Sequence, residues 1–216
     1  PADKKEDPEF YKALKKRADA AGSDIFLVMT GAVNCAPKDL KAQTATFSQQ
    51  VDFAEILDAK YVRVFLQAPT KLERSVAMKK CVAALKPIAD YAQSKGRIIV
   101  IEPKPKSYSV SGVFLAELAK KMDHPSLRLM PDFGKMKSDD MYGGTKAMMP
   151  YTEVVSAKTH DILADGETVD FDYPRLMKIV TDAGFKGIVA IEYEGKTPGQ
   201  VEGVKATQKI LKKLNR

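Results

Sequence analysis

The sequence is poor in the residues that would declare a cofactor or a compartment outright. Cys35 and Cys81 are its only cysteines in 216 residues. They fit neither a zinc-ligand spacing nor a disulfide framework and read as two separate thiols. There are two histidines, His124 and His160. No apolar run approaches the ~18 residues that cross a bilayer, and no signal-peptide apolar segment is visible. The chain opens on PADKKEDPEF without an initiator Met, so a leader removed upstream stays open; the expectation is a cytoplasmic protein with no membrane partner. What is abundant is charge. Lys and Arg number 35 against 28 Asp and Glu, for a net charge of +7. Such an excess suits an anionic ligand, a phosphorylated one or nucleic acid, but the lysines are spread along several helical segments and read better as solvated faces.

Amphipathic and apolar segments alternate from end to end. Residues 8–22 read as a helix, with Pro8 in the first turn and Gly22 closing it. Residues 25–31 follow as a buried strand, 37–59 as a helix and 61–67 as a strand. The same pairing recurs with helix 71–95 and strand 97–103, helix 110–122 and strand 127–133, a short helix near 143–150 and strand 154–161, then helix 173–183 and strand 187–195. A basic amphipathic helix closes the chain. Strands separated by helices pair in parallel through right-handed crossovers, and near-continuous apolar strands are covered on both faces. A doubly wound sheet would concentrate its signal in one glycine-rich loop after the first strand, and none is present. Polar groups instead end nearly every strand, where a barrel gathers its site. The expectation is an α/β fold, a (β/α)8 TIM barrel forming a single domain over 1–216. About six strands are counted rather than eight, so the first two βα units are expected to be missing from this chain. The open edges this leaves would be covered by a homo-oligomer or a partner segment.

Three of those strands end in an acid: IIVIEP at Glu102, LRLMPDF at Asp132 and IVAIEYEG at Glu192. With a side-chain period of two, Ile98, Val100 and Glu102 share one face, as do Ile188, Ala190 and Glu192; Asp132 follows Met130 in the same way. Burying three convergent carboxylates is costly unless a cation or a proton relay offsets their repulsion. Oxygen ligands of this kind suit Mn²⁺, Mg²⁺ or Zn²⁺, with a His usually completing a transition-metal site. The plainer alternative makes each acid a helix cap or a salt-bridged rim residue. Asp165-Gly166 reads as a turn and Asp172 as the N-cap of the helix beginning near Pro174. His124, in the MDHPS turn before a strand, receives no role.

The segments IEP, PDFG, SAKTHDILADGE, FDYPRLMKIVTDAGFKG and IEYEG, in this order and spacing, resemble the sugar phosphate isomerase/epimerase family, the xylose isomerase-like TIM barrels. The likeness runs from residue 4 nearly to the end. It implies a divalent metal held by Glu, Asp, His and Glu; Glu102, Asp132 and Glu192 match three of the ligands. It also implies that Glu102 and Glu192 shuttle a proton at a carbon beside a carbonyl while the metal, Mn, Zn or Mg, stabilises the enediolate. The departures are specific. Ser156 stands where the family commonly has its ligand His, which leaves His160, further along the same strand face, as the fourth ligand or else as a rim residue bonded to Asp161. Lys104 and Lys135 stand where the family often has His or Asn. Lys104, Lys135 and Lys158 either pair with the acids, leaving a site that needs no metal, or bind a phosphate or carboxylate of the substrate. Arg63 adds an anion contact if it faces inward. The resemblance thus implies a metal-dependent isomerase or epimerase acting on a small sugar, sugar phosphate or keto-sugar. The alternatives are a lyase or hydrolase on oxidised (3-keto) glycosides, or a non-catalytic sugar-binding barrel with a degenerate metal site. A nucleic-acid enzyme of similar architecture would need a His-rich cluster for several zinc ions, which two histidines cannot supply.

Overall fold

The computed structural model describes residues 7–136, 141–164, 166 and 168–214. Helices and strands alternate throughout: α1 (Pro8–Ala20), β1 (Leu27–Asn34), α2 (Leu40–Ile56), β2 (Tyr61–Gln67), α3 (Arg74–Ser94), β3 (Ile98–Glu102), α4 (Gly112–Met122), β4 (Leu127–Leu129), α5 (Met141–Met148), β5 (Val154–Thr159), α6 (Tyr173–Asp182), β6 (Ile188–Tyr193) and α7 (Gln200–Leu214). They fall into two compact units. One comprises Pro1–Glu102, Lys106–Tyr108 and Leu118–Arg128; the other Pro103–Pro105, Ser109–Glu117 and Leu129–Arg216.

In the first unit, β2 lies between β1 and β3 and pairs in parallel with both. Its side chains alternate between two covered faces, so Val62, Val64 and Leu66 are fully buried, as a near-continuous apolar strand requires. α2 and α3 supply Val51, Phe53, Ala54, Ala77, Leu85 and Ile88 to the same core. Local sequence starts α1 and α2: the side chain of Asp7 accepts from Glu9 N and that of Asp39 from Ala42 N, both at 2.9 Å, satisfying otherwise unpaired first-turn amides. β1 differs from the expected buried strand. It begins two residues later and bulges between Met29 and Ala32. As the outer strand of its sheet it pairs, among the described residues, with β2 alone, and Met29 is 56% exposed.

In the second unit, β5 and β6 pair in parallel. All six residues of β5 are buried, whereas β6 is mostly half-buried. The core here is Phe133, Val155, Ala157, Tyr173, Leu176, Met177 and Val180. Tyr173 donates its hydroxyl to the Ala157 carbonyl at 3.1 Å, which satisfies the one polar atom of a buried aromatic. The strand expected over 127–133 stops at Leu129 and resumes only as a bridge between Asp132 and Ser156. Pro131 between them has no N–H to give to the ladder, and its carbonyl accepts from Ser156 N at 2.9 Å. Asp172 caps α6 as expected, accepting from Arg175 N at 2.9 Å. Of the expected turn, Asp165 lies outside the described residues, and Gly166 sits at φ +89°. Among the described residues no helix is long and apolar enough to cross a membrane.

Candidate active site

The densest charge cluster is built on β5 and β6. Parallel pairing sets Lys158 opposite Glu192, and the two-residue period places Ser156 with Lys158, and Glu194 with Glu192, on one face. The bridge from Ser156 brings in Asp132. Lys158 is 1% exposed. Its Nζ lies 2.9 Å from Glu192 Oε1, 3.0 Å from Glu194 Oε1 and 3.4 Å from Asp132 Oδ2. Ser156 donates to Glu192 Oε2 at 2.8 Å, and Gly134 N donates to Asp132 Oδ1, also at 2.8 Å. Asp132 Oδ2 has no hydrogen-bond partner among the described residues and faces the ammonium alone. Gly134 makes room for the lysine: a Cβ at that position would stand 2.7 Å from Lys158 Cδ and 3.3 Å from His160 Cε1.

Each group in the cluster titrates under opposing influences. Burial pulls the Lys158 ammonium towards deprotonation, but the charge of Asp132 and the bonds to Glu192 and Glu194 outweigh it and hold its pKa above the ordinary lysine value. Burial raises the Asp132 pKa, an effect the ammonium only partly offsets. Burial acts the same way on Glu192, yet Lys158 and Ser156 win there and hold its carboxyl below the usual range. Glu192 is therefore an ionised carboxylate at neutral pH, with its two oxygens set against Lys158 and Ser156 and 29% of its side chain exposed.

The divalent ion implied by the resemblance can be tested against this arrangement. An ion bound to Asp132 and Glu192 would have the ammonium within about 4 Å, a repulsion of roughly 8 kcal/mol at an effective dielectric constant of ~20. Among the described residues no group of three or more His, Cys, Asp or Glu side chains is disposed to hold a metal ion. While Lys158 keeps its charge, the side chains as arranged do not fit a divalent cation.

The first unit carries a second buried pair. Arg63 points inward from β2 and sets its Nε 2.9 Å from Glu102 Oε2, with both residues almost fully buried. Its Nη1 donates to the Thr30 carbonyl at 2.8 Å, and the guanidinium lies 4.2 Å from the centre of the Phe65 ring. Two strand-end acids expected to bind a metal, Asp132 and Glu192, thus sit around one lysine, and Glu102 sits on an arginine.

The remaining candidates are placed as follows. His160 pairs through Nδ1 with Asp170, and its Nε2 is 3.9 Å from Glu194 Oε2. The bond to Asp161 weighed as the alternative does not form, because Asp161 instead accepts the Lys196 and Thr197 amides at 2.6 and 2.9 Å. Lys104 and Lys135 are half-buried, and the charge of Lys135 reaches Asp132. His124 accepts from Ser126 N at Nδ1 (3.1 Å), so its Nε2 carries the proton and donates to Asp90 Oδ1, also at 3.1 Å; this is a structural bond before a strand. Two acids were missed from sequence. Glu194 had a usable signal, its place two residues after Glu192 on the same face. Asp170 had none, since it reaches His160 across a loop.

The comparisons with known proteins agree with this architecture. The family described as xylose isomerase-like TIM barrel matches residues 2–214. No curated protein matches the chain in sequence. Among solved structures, 3-keto-D-glucoside 4-epimerase YcjR from E. coli superposes with a TM-score of 0.75 at 10% identity, over 95% of this chain and 85% of that one. D-allulose 3-epimerase from Methylomonas sp. does so with a TM-score of 0.75 at 14% identity, over 97% and 85%. The IolI protein with a bound zinc atom gives 0.73 at 17% identity, over 96% and 84%. At these identities the structural likeness speaks for the fold, and the match to the family model along nearly the whole length decides the rest: the chain belongs to the xylose isomerase-like TIM barrel family.

Proposed function

We propose that this protein is a sugar isomerase or epimerase that moves a proton at a carbon beside a carbonyl. The observation that carries the reading is Glu192: an ionised, partly accessible carboxylate at a strand end, with one oxygen held by Lys158 and the other by Ser156. A base must be ionised, oriented and reachable, and Glu192 meets all three conditions. In this reading Glu192 takes the proton; the family resemblance assigns a proton-transfer role to Glu102 as well, which in the first unit is buried on Arg63. Lys104 and Lys135 contact an anionic group of the substrate, a phosphate or a carboxylate. The names of the structural neighbours, a 3-keto-glucoside 4-epimerase and an allulose 3-epimerase, support a sugar or keto-sugar as the substrate class. The Mn²⁺, Zn²⁺ or Mg²⁺ implied by the resemblance has no step in this reading, because the ammonium of Lys158 stands against it.

The test is solvent exchange. A panel of ketohexoses, sugar phosphates and 3-keto-glucosides in deuterated water, with and without added Mn²⁺, is expected to yield one sugar that incorporates deuterium at a single carbon. Glu192→Gln should lower that rate by 10²-fold or more, the usual contribution of a positioned base at about 10²–10⁴. Elimination products from a 3-keto-glucoside would redirect the reading to a lyase. Thermal stabilisation by a sugar without exchange would redirect it to a binding protein.

A further inference from the structure

The carboxyl groups of Asp132, of Glu192 on β6 and of Glu194 just after it surround a cation that belongs to the chain itself, Lys158 on β5. Lys158 Nζ is within 3.4 Å of Asp132, Glu192 and Glu194, one ammonium among three carboxyl groups. The lysine is not a surface residue folded in by chance. It is a strand residue paired directly with Glu192, its stem fills space that Gly134 leaves open, and it is among the largest fully buried side chains of the protein. Ser156, where the family resemblance puts a ligand His, donates its hydroxyl proton to Glu192. His160 is turned to Asp170 through Nδ1.

We propose that the Lys158 ammonium occupies the place of a divalent ion, so that this site is assembled and held without a metal. Lys158 is then a positioning residue: its ammonium is held among the three acids by charge, and it acts on a substrate through the orientation of Glu192. The inference concerns the same site as the proposed sugar chemistry, but its test reads metal and not turnover. Failure of the exchange experiment leaves it standing, and its own failure leaves the sugar reading standing.

The decisive experiment is metal binding by the full chain. Protein purified after Mn²⁺- and Zn²⁺-supplemented growth is analysed for elements, and Mn²⁺ titration is followed by the electron paramagnetic resonance signal of the free ion. The parent is expected to hold far less than one metal per chain, with the same residual amount in Glu192→Gln. Lys158→Ala, with the charge gone and the space open, is expected to bind Mn²⁺ at least about 100-fold more tightly than the parent, as removal of so close a positive charge implies. Lys158→Arg, which keeps a cation, should stay blind to Mn²⁺. One Mn or Zn per parent chain that is lost in Glu192→Gln would overturn the inference. A folded Lys158→Ala that gains no affinity would overturn it as well. If Lys158→Ala does not fold, the parent and Glu192→Gln measurements still decide.

Discussion

Burying Lys158 commits the neighbouring acids to it. An ion pair of this kind is weak evidence of net stability, but removing one partner leaves an uncompensated charge in the interior, at a cost of about 3–5 kcal/mol. Lys158→Met is therefore expected to lower the unfolding free energy by about that amount in urea titrations, and Lys158→Met with Asp132→Asn should recover most of the loss because the stranded charge is gone. The effect has a defined pH window. Because the folded-state pKa of Lys158 lies above its ordinary value, the stabilisation is fully present below ~10.4 and fades as pH rises beyond that through the folded pKa. The gap between parent and Lys158→Met should thus be constant near neutrality and narrow both in alkali, as Lys158 loses its proton, and in acid, as Glu192 gains one. At this scale the sequence was half legible. The acids at the expected strand ends made Glu102, Asp132 and Glu192 visible, and the period of two set each on one face of its own strand. A lysine as their counter-charge was among the readings of the sequence, but which of Lys104, Lys135 and Lys158 it is was not legible, since a lysine two residues after a serine looks the same whether it points at solvent or at Glu192.

Between elements, small residues set how close two backbones come. Gly112, the first residue of α4, approaches Gly144 of α5 so nearly that a Cβ would lie 2.5 Å from the Gly144 carbonyl carbon. That partner is backbone and cannot swing aside. Gly112→Ala is expected to cost about 1–3 kcal/mol, the range for overpacking, while Gly143→Ala on the same helix, with nothing near its Cβ, should cost little; thermal unfolding of the two variants checks the contrast. The elements themselves were largely readable. Strand 61–67 and the starts of α1 and α6 fall where apolar runs, Pro8 and Asp172 put them. The misplaced ones have local causes: Pro131 cuts the strand after Leu129, and β1 is set by its pairing with β2, which no run of apolar residues announces.

Over the whole molecule, the net charge of +7 does not gather into a single function. Many of the charged residues are paired along helix faces, as in Lys12–Glu9, Lys15–Asp19, Lys86–Asp90, Lys178–Asp182 and Lys205–Glu202. Exposed pairs at this spacing are worth about 0.3–0.5 kcal/mol each and are screened by salt. Raising sodium chloride from low ionic strength to ~1 M should therefore lower stability by no more than about 2 kcal/mol, measured by urea unfolding at each salt concentration. A larger fall would mean that the charge acts collectively. The family was legible at this scale because its segments recur in order along the chain, whereas the departures that distinguish this member are single residues, Ser156 and Lys158, whose meaning emerges only from their neighbours.

The close seat of Lys158 under Gly134 makes the two positions historically dependent. An added methyl at 134 collides with the lysine stem, so Gly134→Ala is harmful while residue 158 is long and acceptable once it is short. A lineage, or a designer, going from this site to one with alanine at 134 and a short residue 158 must change residue 158 first, and on the way back must change residue 134 first. The other order passes through an alanine pressed against the lysine stem, so one path is closed though its end points are both allowed.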